Sequence, residues 1–491
     1  MVLKRRQGSH FLIYVKIKVK GDLKTRYMEH QNNIVDIITR QRQFFLTGVT
    51  KSINYRKEQL RKLRDLIIEN EKAIYEALRT DFRKPVFESY LSENGYMVLE
   101  INQFVKKLKQ WARPKRLPSN LLNFPSSSFL MHEPYGVSLI IAPWNYPFQL
   151  AMGPLAGAMA AGNCAILKPS ELAPATSALM KKLINDNFDD CYIHVMEGDA
   201  RVTQSLLEEK FDYIFFTGGT YVGKIIATAA AKNLTPVTLE LGGKSPCIVD
   251  GTMNMKLAAR RIVWGKFLNN GQTCVAPDYI YVDIKYKDDL LIALKQEVIK
   301  AFGEDPKNSD DLARIINQKH FNRVRALIPD SKIYHGGQSE EAELYIAPTI
   351  LQDVNWEDDI MKEEIFGPLL PVLSYQNIDE VILHLKSKDK PLSLYVFSTR
   401  KSFISKVLNE LSFGSGAIND VIIQYGNPFV PFGGVGHSGY GAYHGKHSFE
   451  TFSHKKGIVK KGNWLDVPVR YAPFGSKLKW LKKLFRINFE W

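Results

Sequence analysis

A cysteine set among glycine and polar residues is the first candidate for chemistry. Cys274 lies in the segment NNGQTCVAP, residues 269–277, which has the composition of a loop. A catalytic cysteine needs an accessible thiol with a lowered pKa or a nearby base. Cys164, Cys191 and Cys247 lie in or beside apolar segments, where cysteine behaves as a small hydrophobic residue. We therefore expect Cys274 to be a nucleophile, although a single cysteine is more often structural and the assignment depends on its neighbours.

A glutamate directly after an apolar strand is the candidate base. Glu240 stands between two leucines and is followed by a pair of glycines, which is a poor setting for a solvated surface carboxylate. Burial disfavours the charged form of a carboxyl group and raises its pKa, as a base that activates water near neutral pH requires. The alternative is a structural acid paired with Lys244.

Two further segments carry groups that can act on a carbonyl or a cofactor. Asn145 lies in PWNYP, residues 143–147, and its side-chain amide can donate to a developing oxyanion. The segment EEIFGP, residues 363–368, places an acid and an aromatic residue ahead of a turn. Taken alone, the first segment also fits a proline-bounded turn and the second also fits a helix end.

A glycine-rich turn between a strand and a helix is a candidate phosphate site. The segment FTGGT, residues 216–220, ends a predicted strand and begins a helix that includes Gly223. Gly218 and Gly219 allow backbone N–H groups and the helix N-terminus to approach a phosphate. The spacing is not G-x-G-x-x-G, so this turn alone is weak evidence for a nucleotide.

A second turn of the same kind carries charged side chains. Lys168 and Glu171 lie in KPSE, residues 168–171, directly after another short apolar segment. Both side chains can hydrogen-bond the hydroxyl groups of a ribose. In isolation the same four residues also fit a helix N-terminus that is capped by Ser170.

The elements that must position these residues alternate in type. Short apolar segments predict strands at Val137–Ala142, Ala165–Leu167, Tyr192–Val195, Tyr213–Phe216 and Val237–Leu239. Helical spacing predicts helices between them, at Leu150–Ala161, Ala175–Asn187, Thr203–Glu209 and Val222–Ala231. Such alternation is typical of a parallel sheet with helices on both faces, and ligands bind at the carboxyl ends of its strands.

The flanking regions have their own patterns. Residues 35–78 predict at least two amphipathic helices, and a third is expected over Ser89–Trp111, before Pro114 ends helical structure. A second alternating region follows near residue 245 and continues to about 419. Its predicted strands are Cys247–Asp250, Tyr279–Val282 and Leu394–Ser398.

Composition and charge limit the class of protein. A chain of 491 residues with 45% apolar and 24% charged residues predicts two or three folded units. Its four cysteines lack metal-ligand spacing and are too few for a disulfide framework, so we expect no metal and a reducing, cytoplasmic location. The net charge is +15, of which the first 27 residues carry +7. The sequence does not show the interleaving of arginine and aromatic residues that would indicate nucleic-acid binding.

The two ends of the chain need separate interpretation. Lysines interrupt the apolar part of residues 1–27, which argues against a signal peptide, and translation from Met28 is a hypothesis. At the other end, Lys477–Phe485 has the pattern of a basic amphipathic helix. We favour packing of this helix on its own domain or over a partner subunit, with contact to an anionic membrane surface as the alternative.

In combination, these segments resemble the aldehyde dehydrogenase superfamily. Six separate motifs occur in the family order between Pro143 and Gly439. The segments GQTCVAPDY, residues 271–279, and FGGVGHSG, residues 432–439, are most similar to class 3 members. The resemblance implies a dehydrogenase that converts a medium- or long-chain aliphatic or aromatic aldehyde to the carboxylic acid with NAD or NADP, through a covalent cysteine thioester.

The resemblance also implies roles for the candidate residues. Cys274 corresponds to the nucleophile, Glu240 to the base that releases the acid, and Asn145 to the oxyanion donor. The implied cofactor contacts are Lys168 and Glu171 to the adenosine ribose, Gly218, Gly219 and Gly223 near the pyrophosphate, and Glu364 and Phe366 at the nicotinamide. Tyr96 and Tyr146 would line the apolar substrate tunnel. Gly219 departs from the serine common in the family, which removes one side-chain contact to pyrophosphate.

The implied architecture is the α/β aldehyde dehydrogenase fold, with a Rossmann-like cofactor domain, an α/β catalytic domain and a small bridging sheet. The expected divisions are an N-terminal extension at 1–27, a cofactor-binding domain at 28–116 and 134–241, a catalytic domain at 242–418, bridging elements at 117–133 and 419–465, and a basic tail at 466–491. Class 3 relatives imply a homodimer. The rival functions are a dehydrogenase that passes the acyl group to coenzyme A, which Glu240 disfavours, and a catalytically silent membrane-surface or scaffolding protein.

Overall fold

A computed structural model of the protein describes residues 33–120 and 123–487. The predicted N-terminal extension, residues 1–27, lies outside this range. The described chain divides into a large unit, residues 33–111 and 133–454, and a small unit, residues 112–132 and 455–487. Both the six-stranded and the seven-stranded sheet belong to the large unit.

Helices make up the first part of the large unit. They are α1 (33–46), α2 (Ile53–Glu69), α3 (Glu71–Phe82), α4 (Val86–Ser89) and α5 (Gly95–Trp111). The helix expected over Ser89–Trp111 is interrupted, because residues Tyr90–Asn94 form a π-helical turn between α4 and α5. A π turn inserts one extra residue and shifts the side chains that follow to a new face. Here the turn contains Glu93, which is fully buried.

The six-stranded sheet has the alternating organisation that the sequence predicts. Its strands are β3 (Val137–Ile141), β4 (Cys164–Lys168), β5 (Ile193–Val195), β6 (Tyr213–Thr217), β7 (Val237–Glu240) and β17 (Gly439–Tyr440). The spatial order is β17-β7-β6-β3-β4-β5, and all the pairs except β17 with β7 are parallel. The connecting helices are α6 (Gln149–Ala161), α7 (Pro174–Asn185), α8 (Ala200–Glu208) and α9 (Thr220–Lys232). Since β3 lies between β4 and β6, the strand order reverses beside it, where such sheets bind ligands.

The seven-stranded sheet forms the second core of the large unit. Its strands are β8 (Pro246–Val249), β9 (Tyr279–Asp283), β10 (Ile333–His335), β13 (Thr349–Leu351), β14 (Leu369–Tyr375), β15 (Ser393–Phe397) and β16 (Ser415–Ile418). The helices around it are α10 (Met255–Phe267), α11 (Lys287–Phe302), α12 (Gln318–Ala326), α13 (Asp359–Lys362), α14 (Ile378–Lys386) and α15 (Lys401–Glu410). Strands β11 (Ser339–Glu340) and β12 (Tyr345–Ile346) pair separately, and α16 (Lys446–Thr451) follows β17. The two mostly parallel α/β sheets that the sequence predicts are therefore present in the large unit.

The small unit contains a three-stranded sheet and a terminal helix. Strands β1 (Lys115–Leu117), β2 (Ser126–Pro134) and β18 (Ser453–Lys461) lie in the order β1-β2-β18, and α17 (Lys477–Ile487) follows. The sheet joins the two segments that the sequence assigned to a bridge, while the exact domain limits stay a prediction. Among the described helices, none has the length and apolar character needed to cross a bilayer.

Candidate active site

Predicted site residues lie where parallel strands of the six-stranded sheet end. Lys168 is the last residue of β4 and Glu240 is the last residue of β7. Asn145 follows the end of β3, and Gly218 follows the end of β6. The strand register places Ile141 beside Lys168 and Thr217 beside Glu240, so these ends are level with one another. The sheet therefore presents the four residues along one edge, as the sequence predicts.

Cys274 lies in a tight turn between α10 and β9. Asn269 and Asn270 both have φ of 53°, and Gly271 has φ of 74°. A side chain at Gly271 would place its Cβ 2.2 Å from the Gly367 carbonyl oxygen, so the position needs glycine for space as well as for its backbone conformation.

The side chain of Gln272 anchors this turn from within. Its Nε2 donates to the carbonyl of Arg314 at 2.9 Å, and its Oε1 accepts from the N–H of Ile316 at 3.0 Å. Gln272 is fully buried, whereas Cys274 is partly exposed. Burial, followed by the charges of Glu364 and Glu240, raises the pKa of the Cys274 thiol. The turn is thus held by hydrogen bonds of Gln272, and the raised pKa favours the protonated form of the thiol.

Asn145 is hydrogen-bonded to the cysteine turn. Its Nδ2 donates to the carbonyl of Gln272 at 3.0 Å, and its own carbonyl accepts from Asn269 Nδ2 at 2.7 Å. The next residue adds a third contact, since the Tyr146 hydroxyl lies 2.7 Å from Thr273 Oγ1. The two segments that the sequence singled out separately are therefore fixed to one another. The amide of Asn145 has a second N–H, which this arrangement leaves for another acceptor.

Glu240 is buried without a counter-charge. It is 3% exposed, and neither carboxylate oxygen has a hydrogen-bond partner. Burial raises the pKa of Glu240 well above its usual value. Lys244 instead contacts Asp278 at 2.6 Å, so the alternative interpretation of Glu240 as the structural partner of Lys244 is wrong. The charge of Glu240 acts on the thiol of Cys274, which places the two groups in one electrostatic environment.

Glu364 and Phe366 approach the end of β7 from the second sheet. A Cβ on Gly242 would lie 2.1 Å from a carboxylate oxygen of Glu364, so the glycine leaves the space that this side chain occupies. Burial, then the charge of Asp278, raises the pKa of Glu364 to about 8. Phe366 has φ of 49°, and its ring meets Trp144 edge-on at 5.3 Å. These residues therefore lie next to the segments that carry Asn145 and Glu240.

An open cleft of about 850 Å³ begins at the same place. Thr220 of the glycine-rich turn and Glu364 line it, together with Tyr221, Gly242 and Gly243. Gly219 is the N-cap of α9, no side chain caps this helix, and no atom lies within 4 Å of the Cβ position of Gly219. The first N–H groups of α9 are thus accessible, and a helix N-terminus attracts phosphate.

The remaining nucleotide candidates also suit a dinucleotide. Gly218 and Gly223 have no room for a side chain, because Phe216 and Leu241 lie against their Cβ positions. Lys168 donates to the carbonyl of Pro169 at 2.7 Å and to Glu171 at 3.2 Å. Neither residue lines the cleft described above, but lysine and carboxylate side chains at the end of a parallel strand can bind ribose hydroxyl groups. The residues present therefore fit a nicotinamide dinucleotide.

A buried aromatic cluster next to the cysteine was not found from the sequence. His444 is fully buried, stacks on Tyr443 at 4.0 Å and accepts or donates a hydrogen bond with Tyr96 at 2.8 Å. The Tyr425 hydroxyl donates to Gln149 at 2.6 Å. Apart from Tyr96, these aromatic residues lie in residues 414–445, a region rich in glycine, and such a composition does not indicate where its aromatic residues pack. Tyr96 thus belongs to a polar-edged aromatic wall.

A buried ion pair behind Tyr146 was also missed. Lys84 Nζ lies 2.6 Å from Glu93 and 3.9 Å from the centre of the Tyr146 ring. The second oxygen of Glu93 accepts the N–H of Gln149 at 2.8 Å, at the start of α6. Both charged side chains are fully buried. The pair therefore joins the π turn, α6 and the segment that carries Asn145.

Comparison with known proteins supports the family resemblance that the sequence shows. The aldehyde dehydrogenase family matches residues 26–458. The 4,4'-diaponeurosporen-aldehyde dehydrogenase of Staphylococcus aureus is 50% identical over 445 residues, which cover 90% of this chain and 97% of that protein. The dimeric NADP-preferring aldehyde dehydrogenase of Rattus norvegicus is 44% identical, with 91% and 99% covered.

A solved structure agrees as closely. The substrate-bound state of Staphylococcus aureus AldH superimposes with a TM-score of 0.90 at 49% identity, covering 92% of this chain and 99% of that one. The resemblance recognised in the sequence is therefore confirmed. The chain belongs to the aldehyde dehydrogenase family, whose members oxidise aldehydes to carboxylic acids with NAD(P).

Proposed function

We propose that this enzyme oxidises an apolar aldehyde to the free carboxylic acid through a thioester on Cys274, with NAD⁺ or NADP⁺ as oxidant. The observation that carries the proposal is the connection of Asn145 to the cysteine turn beside a buried carboxylate, Glu240, that has no partner. This arrangement supplies a nucleophile, an oxyanion donor and a base without further rearrangement of the backbone.

Attack by the thiol is the first step. The raised pKa of Cys274 means that its proton must be accepted as sulfur bonds to the carbonyl carbon, and Glu240 is a base in the same environment. The oxyanion that forms accepts hydrogen bonds from Asn145 Nδ2 and from the backbone N–H of Cys274. Loss of one such donor costs about 3 kcal/mol, or about a hundredfold in rate. A nicotinamide bound in the cleft supplies the hydride acceptor for the oxidation.

Release of the acid needs water and a base. Glu240 first releases to solvent the proton that it took from the thiol, which is the proton that the overall oxidation liberates. Its carboxylate, which has no partner, can then accept a proton from water as the water attacks the thioester carbon. The carbon–sulfur bond then breaks, and the proton returns to the leaving sulfur. Because the pKa of Glu240 is raised by burial, the carboxylate is a stronger base than a solvated glutamate.

The surroundings of the turn favour an apolar substrate. A second cleft of about 340 Å³ has a mixed lining, in which Phe87, Leu91, Trp264 and Leu268 are accompanied by the charged residues Glu88, Arg260, Glu297 and Asp311. Leu268 reaches the catalytic turn directly, because its carbonyl accepts the Thr273 hydroxyl at 3.3 Å. Tyr96 and Tyr146 are the proposed aromatic walls of the substrate tunnel. The relative named as a 4,4'-diaponeurosporen-aldehyde dehydrogenase is consistent with our proposal of medium- or long-chain aliphatic or aromatic aldehydes as the substrate class.

The cofactor proposal covers both dinucleotides. Lys168, Glu171, Gly218, Gly219, Gly223, Glu364 and Phe366 would hold the dinucleotide. Glu171 is exposed at its tip, so it can turn away from a 2′-phosphate while Lys168 remains in place. The rat relative is named as NADP-preferring, which supports tolerance of that phosphate. A homodimer and a cytoplasmic location also stay predictions.

A panel of aldehydes with both cofactors tests this function. We expect NAD(P)H and free acid from apolar aldehydes, and no activity in Cys274→Ala. Cys191→Ala is the matched control, because that cysteine is also partly exposed but lies beside β5. Addition of coenzyme A should produce no acyl-CoA. Acyl-CoA as the main product, or normal turnover by Cys274→Ala, would contradict the proposal.

A further inference from the structure

The small unit carries most of the net positive charge of the chain. Residues 112–132 and 455–491 contain thirteen lysine and arginine residues against Asp466 and Glu490, a net charge of +11 out of +15 for the whole protein. The first 27 residues carry +7, so the large unit without them has a net charge of −3. The excess is thus a property of one unit, and a general solubilising charge does not explain it.

The same unit exposes large apolar side chains. Trp464 is 74% exposed, Phe474 is 64% exposed, and on α17 Trp480 is 70% exposed and Leu478 is 57% exposed. Exposed single residues are common, but several aromatic and aliphatic side chains within one small, highly charged unit indicate an interaction surface.

Helix α17 separates the two kinds of side chain. At 3.6 residues per turn, Leu478 and Leu481 project to one side, with Trp480 at its margin, while Lys479, Lys482 and Lys483 project to the other. The helix contains no acidic residue. Its 11 residues span about 16 Å, roughly half the hydrocarbon thickness of a bilayer, so it is suited to lie in an interface and too short to cross one.

We propose that the small unit binds anionic membrane surfaces, with α17 lying in the headgroup region. Leu478, Trp480 and Leu481 would enter the boundary of the acyl chains, and the lysines on the opposite side would contact anionic headgroups. A nucleic acid would match the charge but not the apolar side of α17. A second copy that covered α17 with its own small unit would bring two units of +11 together, and cover by the large unit of a second copy is distinguished by whether the α17 variants convert dimers to monomers. A bilayer satisfies both features at once.

The expected strength follows from the charges. Each basic side chain near an anionic surface contributes about fivefold to binding, the equivalent of about 1 kcal/mol. Reversal of the three lysines on α17 should therefore weaken binding by at least about a hundredfold. Binding should also fall steeply as salt rises, because the screening length decreases from about 10 Å at 0.1 M to about 3 Å at 1 M.

Flotation of the full-length enzyme with lipid vesicles tests the proposal. Vesicles of phosphatidylcholine with 30% phosphatidylglycerol, chosen as an anionic probe, should carry the protein upward at 0.1 M salt, and pure phosphatidylcholine vesicles should not. Two variants of α17 should each abolish flotation. The first is the triple variant Lys479→Glu with Lys482→Glu and Lys483→Glu, and the second is the double variant Leu478→Ser with Trp480→Ser. Quenching by brominated lipids that is present in the wild type and lost in Trp480→Phe would place this ring in the acyl boundary.

Matched variants on the large unit serve as controls. Lys72→Glu with Lys232→Glu and Lys401→Glu changes the charge equally at exposed sites, and Leu99→Ser with Leu383→Ser removes equally exposed apolar side chains. Both should float normally. The proposal is overturned if the α17 variants float like the wild type. It is also overturned if the wild type does not bind vesicles and the α17 variants convert dimers to monomers. A third contrary result is full competition by DNA together with vesicle binding by the Leu478 and Trp480 variant. Vesicle binding requires no turnover, so these outcomes are independent of the proposed reaction.

Discussion

Removal of Lys84 tests how far a buried ion pair holds the catalytic segment in place. Lys84→Met leaves the carboxylate of Glu93 buried with only backbone N–H groups, those of Phe148 and Gln149, as partners. Breaking a buried pair from one side costs about 3 to 5 kcal/mol, because an uncompensated charge remains. The variant should therefore unfold at a clearly lower urea concentration. The double variant Lys84→Met with Glu93→Gln should recover most of this loss, since the neutral amide oxygen can still accept from Gln149.

The loss should depend on pH in a defined direction. Burial raises the pKa of Glu93, and Lys84 opposes this shift. Without the lysine, the folded state retains a proton on Glu93 up to a higher pH than the unfolded state. A group with a raised pKa in the folded state stabilises below that pKa, and the contribution is lost as pH rises. Lys84→Met should therefore be less destabilised at pH 5 than at pH 8.

The same substitution should reduce catalysis through Tyr146. The ammonium of Lys84 lies over its ring at 3.9 Å, and a desolvated contact of this kind is worth about 2 kcal/mol, or about thirtyfold in rate if it aligns the turn. Urea unfolding and steady-state kinetics measure the two effects. A single variant as stable as the wild type, or a double variant whose loss equals the sum of the single losses, would refute the reasoning.

The other predictions concern Glu240, Lys266 and the glycines of the two turns. Glu240→Gln should give a burst of NAD(P)H followed by slow turnover. In the wild type, turnover should increase with pH as the buried carboxyl loses its proton, and this increase should be absent in the variant. A normal steady-state rate in the variant would contradict the role of Glu240 as the base. Lys266 is fully buried without a hydrogen-bond partner, and burial lowers its pKa to about 8. Lys266→Met should therefore leave the free energy of unfolding unchanged or increased at pH 7. The difference from the wild type should shrink between pH 8 and 10.5, where Lys266 is protonated in the unfolded wild type but not in the folded one. Strong destabilisation of the variant in urea unfolding would instead indicate that Lys266 has a partner. Gly271→Ala should inactivate the enzyme, because the added Cβ would lie 2.2 Å from the Gly367 carbonyl oxygen. Gly219→Ser should bind cofactor at least as well as the wild type, because no atom lies within 4 Å of its Cβ position. Equal kinetics for the two variants would contradict this geometry.

Local patterns predicted the elements and the ends of strands that hold the site. The apolar segment before Glu240 and the proline-bounded turn around Asn145 are short-range features, and each lies at a strand end in the structure. The cysteine loop could be recognised for the same reason, because glycine and polar residues in sequence imply a turn. The order of these motifs along the chain then predicted the fold through the resemblance to a known family.

Partners distant in sequence could not be predicted. Lys84 and Glu93 are nine residues apart, but an interrupting π turn brings them together, and periodicity alone predicted a regular helix. The packing of His444 against Tyr96 joins segments 348 residues apart. Sequence patterns specify which face of an element is apolar, and they do not specify which other element covers it.

The partners of Lys244 give a physical reason for the state of Glu240. The lysine lies only four residues from the glutamate, and a pair between them would remove most of the penalty for burying the carboxylate. The chain instead passes through Gly243 with φ of 158°, and Lys244 donates to Asp278 at 2.6 Å and to the carbonyls of Ile360 and Glu363. Those contacts fix the start of the segment that carries Glu364. The same lysine therefore organises one acid site while leaving the other carboxylate unpaired, and a fold selected for stability alone would have no reason to retain a buried, unpartnered glutamate beside a thiol.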